Sequence, residues 1–129
     1  GYPKGSVLTP HRGEFTSLTG DDPTPQNVQK WAKELGVTMV CKAPKDIISD
    51  GKDVALNDTG NPLMTVGGTG DGLAGFIGGL MAQKLSGFEA AKLTVRLWGQ
   101  IGDELAKTQS ALRAQDLLRM IPETLRKNL

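Results

Sequence analysis

Cysteine occurs once in this sequence, at Cys41, so no disulfide can form within the chain. The residue sits in the apolar run Val37-Thr38-Met39-Val40-Cys41, where a small buried thiol is the expected state. A lone cysteine fits a reducing compartment, and the cytoplasm is the expected location. Histidine also occurs once, at His11, and with no Cys/His cluster a zinc site is not expected. Aromatic residues make up 5% of the chain, too few for a base-stacking platform. An excess of one charge is missing as well. Fifteen basic against 14 acidic residues leave +1, so no broad field directs the chain to nucleic acid or to a membrane surface. The longest weakly charged stretch, Met64 to Ala82, is rich in glycine and carries Asp71, which hydrocarbon would penalise. Neither nucleic acid nor membrane is therefore expected among the partners.

The length of 129 residues suits one domain. Ser6-Val7-Leu8-Thr9 reads as a strand end before Pro10, and His11 to Phe15 as a loop or first turn. Thr24 is an N-cap with Pro25 behind it. Val28, Trp31, Ala32 and Leu35 then form one apolar helix face, which Gly36 closes. Thr38 to Lys42 is a buried strand. Asp46–Ser49 and Val54–Asn57 flank Asp50-Gly51, a hairpin signal. Leu73, Phe76, Ile77, Leu80 and Met81 keep helical spacing, and Ser86-Gly87 is expected to break that helix. A long helix spans Phe88 to Lys107. A last one places Ala114, Leu117, Leu118 and Ile121 together, with Pro122 expected to interrupt it. Strands mixed with helices in this order indicate an α/β layered fold. Few strands are available to cover so many helices, so further strands are expected from elsewhere.

The stretch around which the chemistry gathers is Gly67-Gly68-Thr69-Gly70-Asp71. Glycines bring backbone N–H groups close to a ligand, and the start of a helix favours an anion. A carboxylate there can act as a base. The same pattern also describes a tight turn with an aspartate at a helix N-terminus, and spacing leaves both readings open. Gly70-x-Gly72-x-x-Gly75 matches a dinucleotide fingerprint in letters only, because helices follow rather than a βαβ unit. No Walker A sequence is present. Lys42, at the end of the buried strand, either meets a phosphate or reaches solvent. His11 lies where a strand gives way to a loop, the place where open α/β sheets put ligand contacts, and is otherwise a structural or merely exposed residue.

Four segments narrow these alternatives. Leu8-Thr9-Pro10-His11-Arg12-Gly13-Glu14 ends the first strand, and Lys42-Ala43-Pro44-Lys45-Asp46 follows the buried strand. Asn61-Pro62 precedes the glycine loop, and Asp116-Leu117-Leu118-Arg119-Met120-Ile121-Pro122 lies near the end. In this order they closely resemble the ribokinase-like superfamily, and more specifically its ADP/ATP-dependent NAD(P)H-hydrate dehydratases. Ala43 departs from the glycine usual there. The resemblance covers nearly the whole chain but only the C-terminal half of that family's domain. It implies a ribokinase-like layered sheet with flanking helices, incomplete in residues 1–129. The N-terminal half of the domain, or a second chain, would complete it, and a bare sheet edge makes a homo-oligomer the expected state.

The resemblance implies ATP or ADP with Mg²⁺, and hydrated NADH or NADPH as substrate. It assigns Asp71 as base and substrate contact and His11 as a second substrate contact. It gives Lys42, Ala43, Pro44, Lys45, Asp46, Gly68 and Gly70 to the nucleotide, with no protein metal ligand. A ribokinase-like kinase of a vitamin precursor, or a non-catalytic nucleotide-binding module, are the alternatives.

Overall fold

The computed structural model describes residues 1–128. Its centre is a four-stranded sheet of β1 (Val7–Leu8), β2 (Thr38–Cys41), β3 (Asp46–Ser49) and β4 (Val54–Asn57), side by side in that order. β1 runs parallel to β2, with Val7 beside Thr38 and Leu8 beside Met39. The β2–β3 and β3–β4 pairs are antiparallel. Among the described residues, five α-helices flank the sheet: α1 (Arg12–Thr19), α2 (Pro25–Leu35), α3 (Thr69–Ala82), α4 (Gly87–Ala106) and α5 (Ala114–Asn128).

Successive side chains of a strand point to opposite faces, and this sorts the core into two layers. Met39, Cys41 and Ile47 face α1 and α2, where Phe15, Val28 and Ala32 are fully buried. Val40 and Ile48 face the other way, onto Leu73, Ile77, Leu97, Trp98 and Leu117 from α3, α4 and α5. β2 is covered on both sides, which is why it reads as a continuous apolar run. Burial also pushes the Cys41 thiol up to about 11, as fits an inert core residue.

Several expected boundaries hold. Thr24 caps α2 by accepting from the Asn27 N–H at 3.1 Å, Pro25 opens that helix, and Gly36 ends it in the left-handed conformation. The hairpin turns where expected, with Gly51 at φ +93°. Other elements differ. The segment after His11, expected as a loop or first turn, is a full helix, α1. It escapes periodicity because Phe15 is its one buried residue, and because its cap is a histidine. Trp31 is half-buried at the edge of its core layer, with its indole N–H donating to Asp21 Oδ2 at 2.7 Å.

α5 continues through Pro122. Proline removes a donor and crowds the carbonyl one turn back, at Leu118. Leu118 and Pro122 share the exposed face, so that carbonyl can turn to water, and Leu118 is 43% exposed rather than buried with Leu117.

α3 ends earlier than expected, at Ala82, and Ser86 is instead the N-cap of α4, accepting from the Glu89 N–H. The chain leaves α3 through Lys84 at φ +77°, the one non-glycine residue at positive φ among the described residues. A side chain in that conformation costs about 1 kcal/mol or more. Lys84→Gly is therefore expected to stabilise the fold by up to about 1 kcal/mol, net of the added freedom of the unfolded chain. Denaturant unfolding measures this, and an unchanged or lower midpoint would count against strain at this turn.

Candidate active site

α3 begins without a side-chain cap. Its N-cap is Gly68, at φ +87°, and the N–H groups of Gly70 and Asp71 have no partner among the described residues. Thr69 turns its hydroxyl back to the Val66 carbonyl, at 2.8 Å, and closes the loop rather than the helix end. The first turn thus presents free donors and the positive end of the helix dipole. Asp71 is the third helical residue and is exposed.

Lys42 leaves the end of β2, where its N–H donates to the Pro10 carbonyl and the residue pairs with His11. Its ammonium reaches the start of α3. A Cβ placed on Gly70 would stand 2.8 Å from Lys42 Nζ, so a side chain at position 70 would push the ammonium from this place. No carboxylate lies within ion-pair distance of Lys42 among the described residues. A cation against the positive end of a helix is unfavourable until an anion sits between them.

The turn after Lys42 is held from below. Asp46 Oδ1 accepts from the Ala43 N–H and Oδ2 from Asn57 Nδ2, both at 3.0 Å. Burial raises the Asp46 pKa. The hydrogen bonds from Ala43 and Asn57 and the charge of Lys42 oppose the shift without cancelling it. Both carboxylate oxygens are engaged within the chain, so Asp46 shapes the turn that Ala43 and Pro44 present. Lys45 is exposed and lies outside the cleft lining.

His11 caps α1, its Nδ1 accepting from the Glu14 N–H at 3.2 Å while Glu14 Oε1 accepts from the His11 N–H at 3.0 Å. That second bond holds the Glu14 carboxyl below its usual range. Gly13 leaves room for the ring, since a Cβ there would lie 3.2 Å from His11 Cε1. The histidine is structural and exposed at once.

These groups border one cleft of about 840 Å³. His11, Lys42, Ala43, Pro44, Asp46 and Gly70 line it, while Gly68 and Asp71 sit outside its lining, at the start of α3. Its floor, Val95, Trp98 and Gly99 of α4, was not legible in the sequence, and of the wall formed by the segment Thr59 to Met64 only Asn61-Pro62 stood out. Asp103 of α4 accepts from the Gly60 N–H at 3.0 Å and from Asn61 Nδ2 at 2.9 Å. Gly99 and Gly102 bring that segment against the helix, for a Cβ on either would overlap Thr59 or Met64. Glycines inside a helix cost about 1 kcal/mol each, and such a pair in α4 was the available signal.

A family model described as NAD(P)H-hydrate dehydratase matches residues 3–123. The chain belongs to that family. Over 130 residues it is 37% identical to the ADP-dependent (S)-NAD(P)H-hydrate dehydratase of Cenarchaeum symbiosum, covering 95% of this chain and 45% of the relative. Among solved structures, an ADP/ATP-dependent NAD(P)H-hydrate dehydratase from Bacillus subtilis, co-crystallized with ATP/Mg²⁺, superposes with a TM-score of 0.89 at 30% identity. The match covers 98% of this chain and 50% of that one. A ribokinase-like superfamily protein from Enterococcus faecalis gives 0.89 at 35% identity, covering 98% and 45%. The fold is thus the α/β ribokinase-like one. The chain spans about half the length of these three proteins.

In this family member the carboxyl of Asp46 should titrate above the ordinary aspartate range. An acid whose pKa is raised on folding adds stability below its unfolded value and loses it as pH rises through the folded one. Lys42→Met removes a lowering charge, so it should raise the Asp46 midpoint further and widen that window. Carboxyl ¹³C NMR reads the midpoint. A midpoint unmoved or lowered in the variant would show that Lys42 does not face this site.

Proposed function

We propose that this chain forms part of a nucleotide-dependent NAD(P)H-hydrate dehydratase, acting in the cytoplasm on hydrated NADH or NADPH. The observation that carries the reading is the Lys42 ammonium facing the uncapped start of α3 beside Gly70, inside a cleft large enough for a nucleotide. Family membership supports it, and related enzymes carry ADP- or ATP-dependent names.

The residues fit a polyphosphate. Lys42 and the free N–H groups of Gly70 and Asp71 would hold its charge, Ala43 and Pro44 would border it, and Gly68 would set the turn that exposes those donors. The described residues contain no cluster of three or more His, Cys, Asp or Glu able to hold a metal. Mg²⁺ would accompany the phosphates and keep several of its own waters.

The bound nucleotide would supply a phosphoryl group to the hydroxyl of the hydrated nicotinamide ring; phosphate would then leave with the C–O bonding electrons while the adjacent ring carbon loses a proton to water, re-forming the ring double bond. Asp71, exposed at the start of α3, takes the hydroxyl proton. Lys42 and the α3 donors stabilise the charge on the transferring group. His11, paired with Lys42 and lining the same cleft, contacts the hydrate.

The remaining walls are inferred to come from the other half of the domain length that relatives show, or from a second chain, with copies associating. In support, α3 exposes Ala74, Gly75, Gly78, Gly79 and Ala82 as a flat small-residue face.

Asp71→Asn in the full-length protein should cut turnover of hydrated NADH about 10²–10⁴-fold, the usual contribution of a general base. Nucleotide affinity should stay within a few-fold, since the backbone donors remain. Steady-state assays with ADP and with ATP, paired with calorimetry, check both halves. Turnover near the parent rate would remove Asp71 from the mechanism.

A further inference from the structure

We propose that Asp103 is a positioning residue that sets nucleotide affinity by clamping the segment Thr59 to Met64 against α4, a role that rests on the nucleotide reading above. The segment forms a wall of the same cleft that Lys42 and Gly70 line. It has little hold of its own, being loop apart from one short 3₁₀ turn at Pro62–Met64. Its first residue is tied to the end of β4, where Asn57 Oδ1 accepts from the Thr59 hydroxyl at 2.9 Å, and its other attachments are to α4, at residues that share one face. The Thr59 hydroxyl lies 3.1 Å from the Arg96 carbonyl, and Thr59 packs against Gly99. One turn further on, Met64 packs against Gly102 and the Asp103 carboxylate takes both donors, Gly60 N–H and Asn61 Nδ2.

The pairing is complementary at each atom. The Asn61 Nδ2 donates to Asp103 while its Oδ1 accepts from the Leu63 N–H at 3.0 Å and starts the 3₁₀ turn. Asn61 thus passes the constraint from α4 into the turn that follows. α4 also carries Trp98, whose ring lies against Gly72 of α3: a Cβ on Gly72 would stand 2.8 Å from it. One helix therefore fixes the distance between the loop wall and the phosphate end of the cleft. A wall released from Asp103 keeps its composition but loses its place, and misplacement by about an ångström is enough to weaken a preorganised site.

Asp103→Asn keeps the size of the side chain but puts an NH₂ where one of the two acceptors stood, so a donor then faces a donor. In the full-length protein, exchange of the Gly60 amide by NMR should rise at least about tenfold. The Kd for Mg·ADP and Mg·ATP by calorimetry should rise about tenfold, and kcat at saturating nucleotide should stay within about threefold. Combining Asn61→Asp with Asp103→Asn restores complementarity, because the carboxylate at 61 accepts from the amide at 103. That pair should regain most of the Gly60 protection and most of the affinity. Unchanged Gly60 exchange in Asp103→Asn overturns the proposal, and so does raised exchange with unchanged affinity. Should Asp103→Asn fail to fold, recovery of a folded protein by the exchanged pair supports the clamp and no recovery overturns it. Failure of the unsubstituted protein to bind either nucleotide would overturn the reading on which the clamp rests. It is told apart from failure of the clamp itself, which is read in the Asp103→Asn variant against an unsubstituted protein that does bind nucleotide.

Discussion

A lysine ammonium beside the positive end of a helix raises the free energy of a fold, and the rest of this chain is arranged to keep Lys42 there. β2 delivers the residue to the mouth of the cleft, and the His11–Lys42 pairing fixes where the strand ends. Gly70 supplies the space, since a Cβ there would meet the ammonium where it now stands. Gly68 supplies the turn that leaves α3 uncapped, where a serine or aspartate cap would have filled its donors. Each choice forgoes local stability and gains a place for an anion. That is how a preorganised phosphate site differs from an ordinary helix start.

The second constraint is the close approach of α4 to its surroundings. Its residues Gly99 and Gly102 lack the side chains that would hold the Thr59–Met64 segment away, and Trp98 nests against Gly72 of α3. These glycines weaken the helices that carry them, yet they bring a loop wall, a helix start and an apolar floor into one cleft. The buried face of α4 against β2 and β3 offsets the loss, with Ala90, Ala91 and Leu97 fully buried. Long-range packing, rather than helix propensity, thus decides the geometry of the site.

What the sequence disclosed follows from which signals are local. Thr24-Pro25, Gly36, Asp50-Gly51 and the apolar face of α3 act through neighbouring residues, and each appears where expected. The glycine loop and Lys42 were legible as chemistry, though their adjacency was not, because some thirty residues separate them. α1 was hidden by a histidine cap and a single buried residue. Asp46 read as a ligand contact; it lines the cleft and also holds the turn through Ala43 and Asn57, a role its sequence neighbours do not announce. Asp103 left no mark beyond the two glycines before it, for its partners lie more than forty positions away. Pro122 misled because the cost of a proline depends on whether the freed carbonyl reaches water, a property of the tertiary structure.

The central claim is that Lys42 and the start of α3 form one anion cradle. Titration of the ¹⁵N-labelled full-length protein with Mg·ADP, followed at the backbone amides, tests it most directly. The account predicts saturable shifts concentrated at Gly68 to Asp71 and at Lys42 to Pro44, with a common affinity for both segments. Saturable binding that moves other amides and leaves Gly70 and Lys42 unperturbed would contradict it.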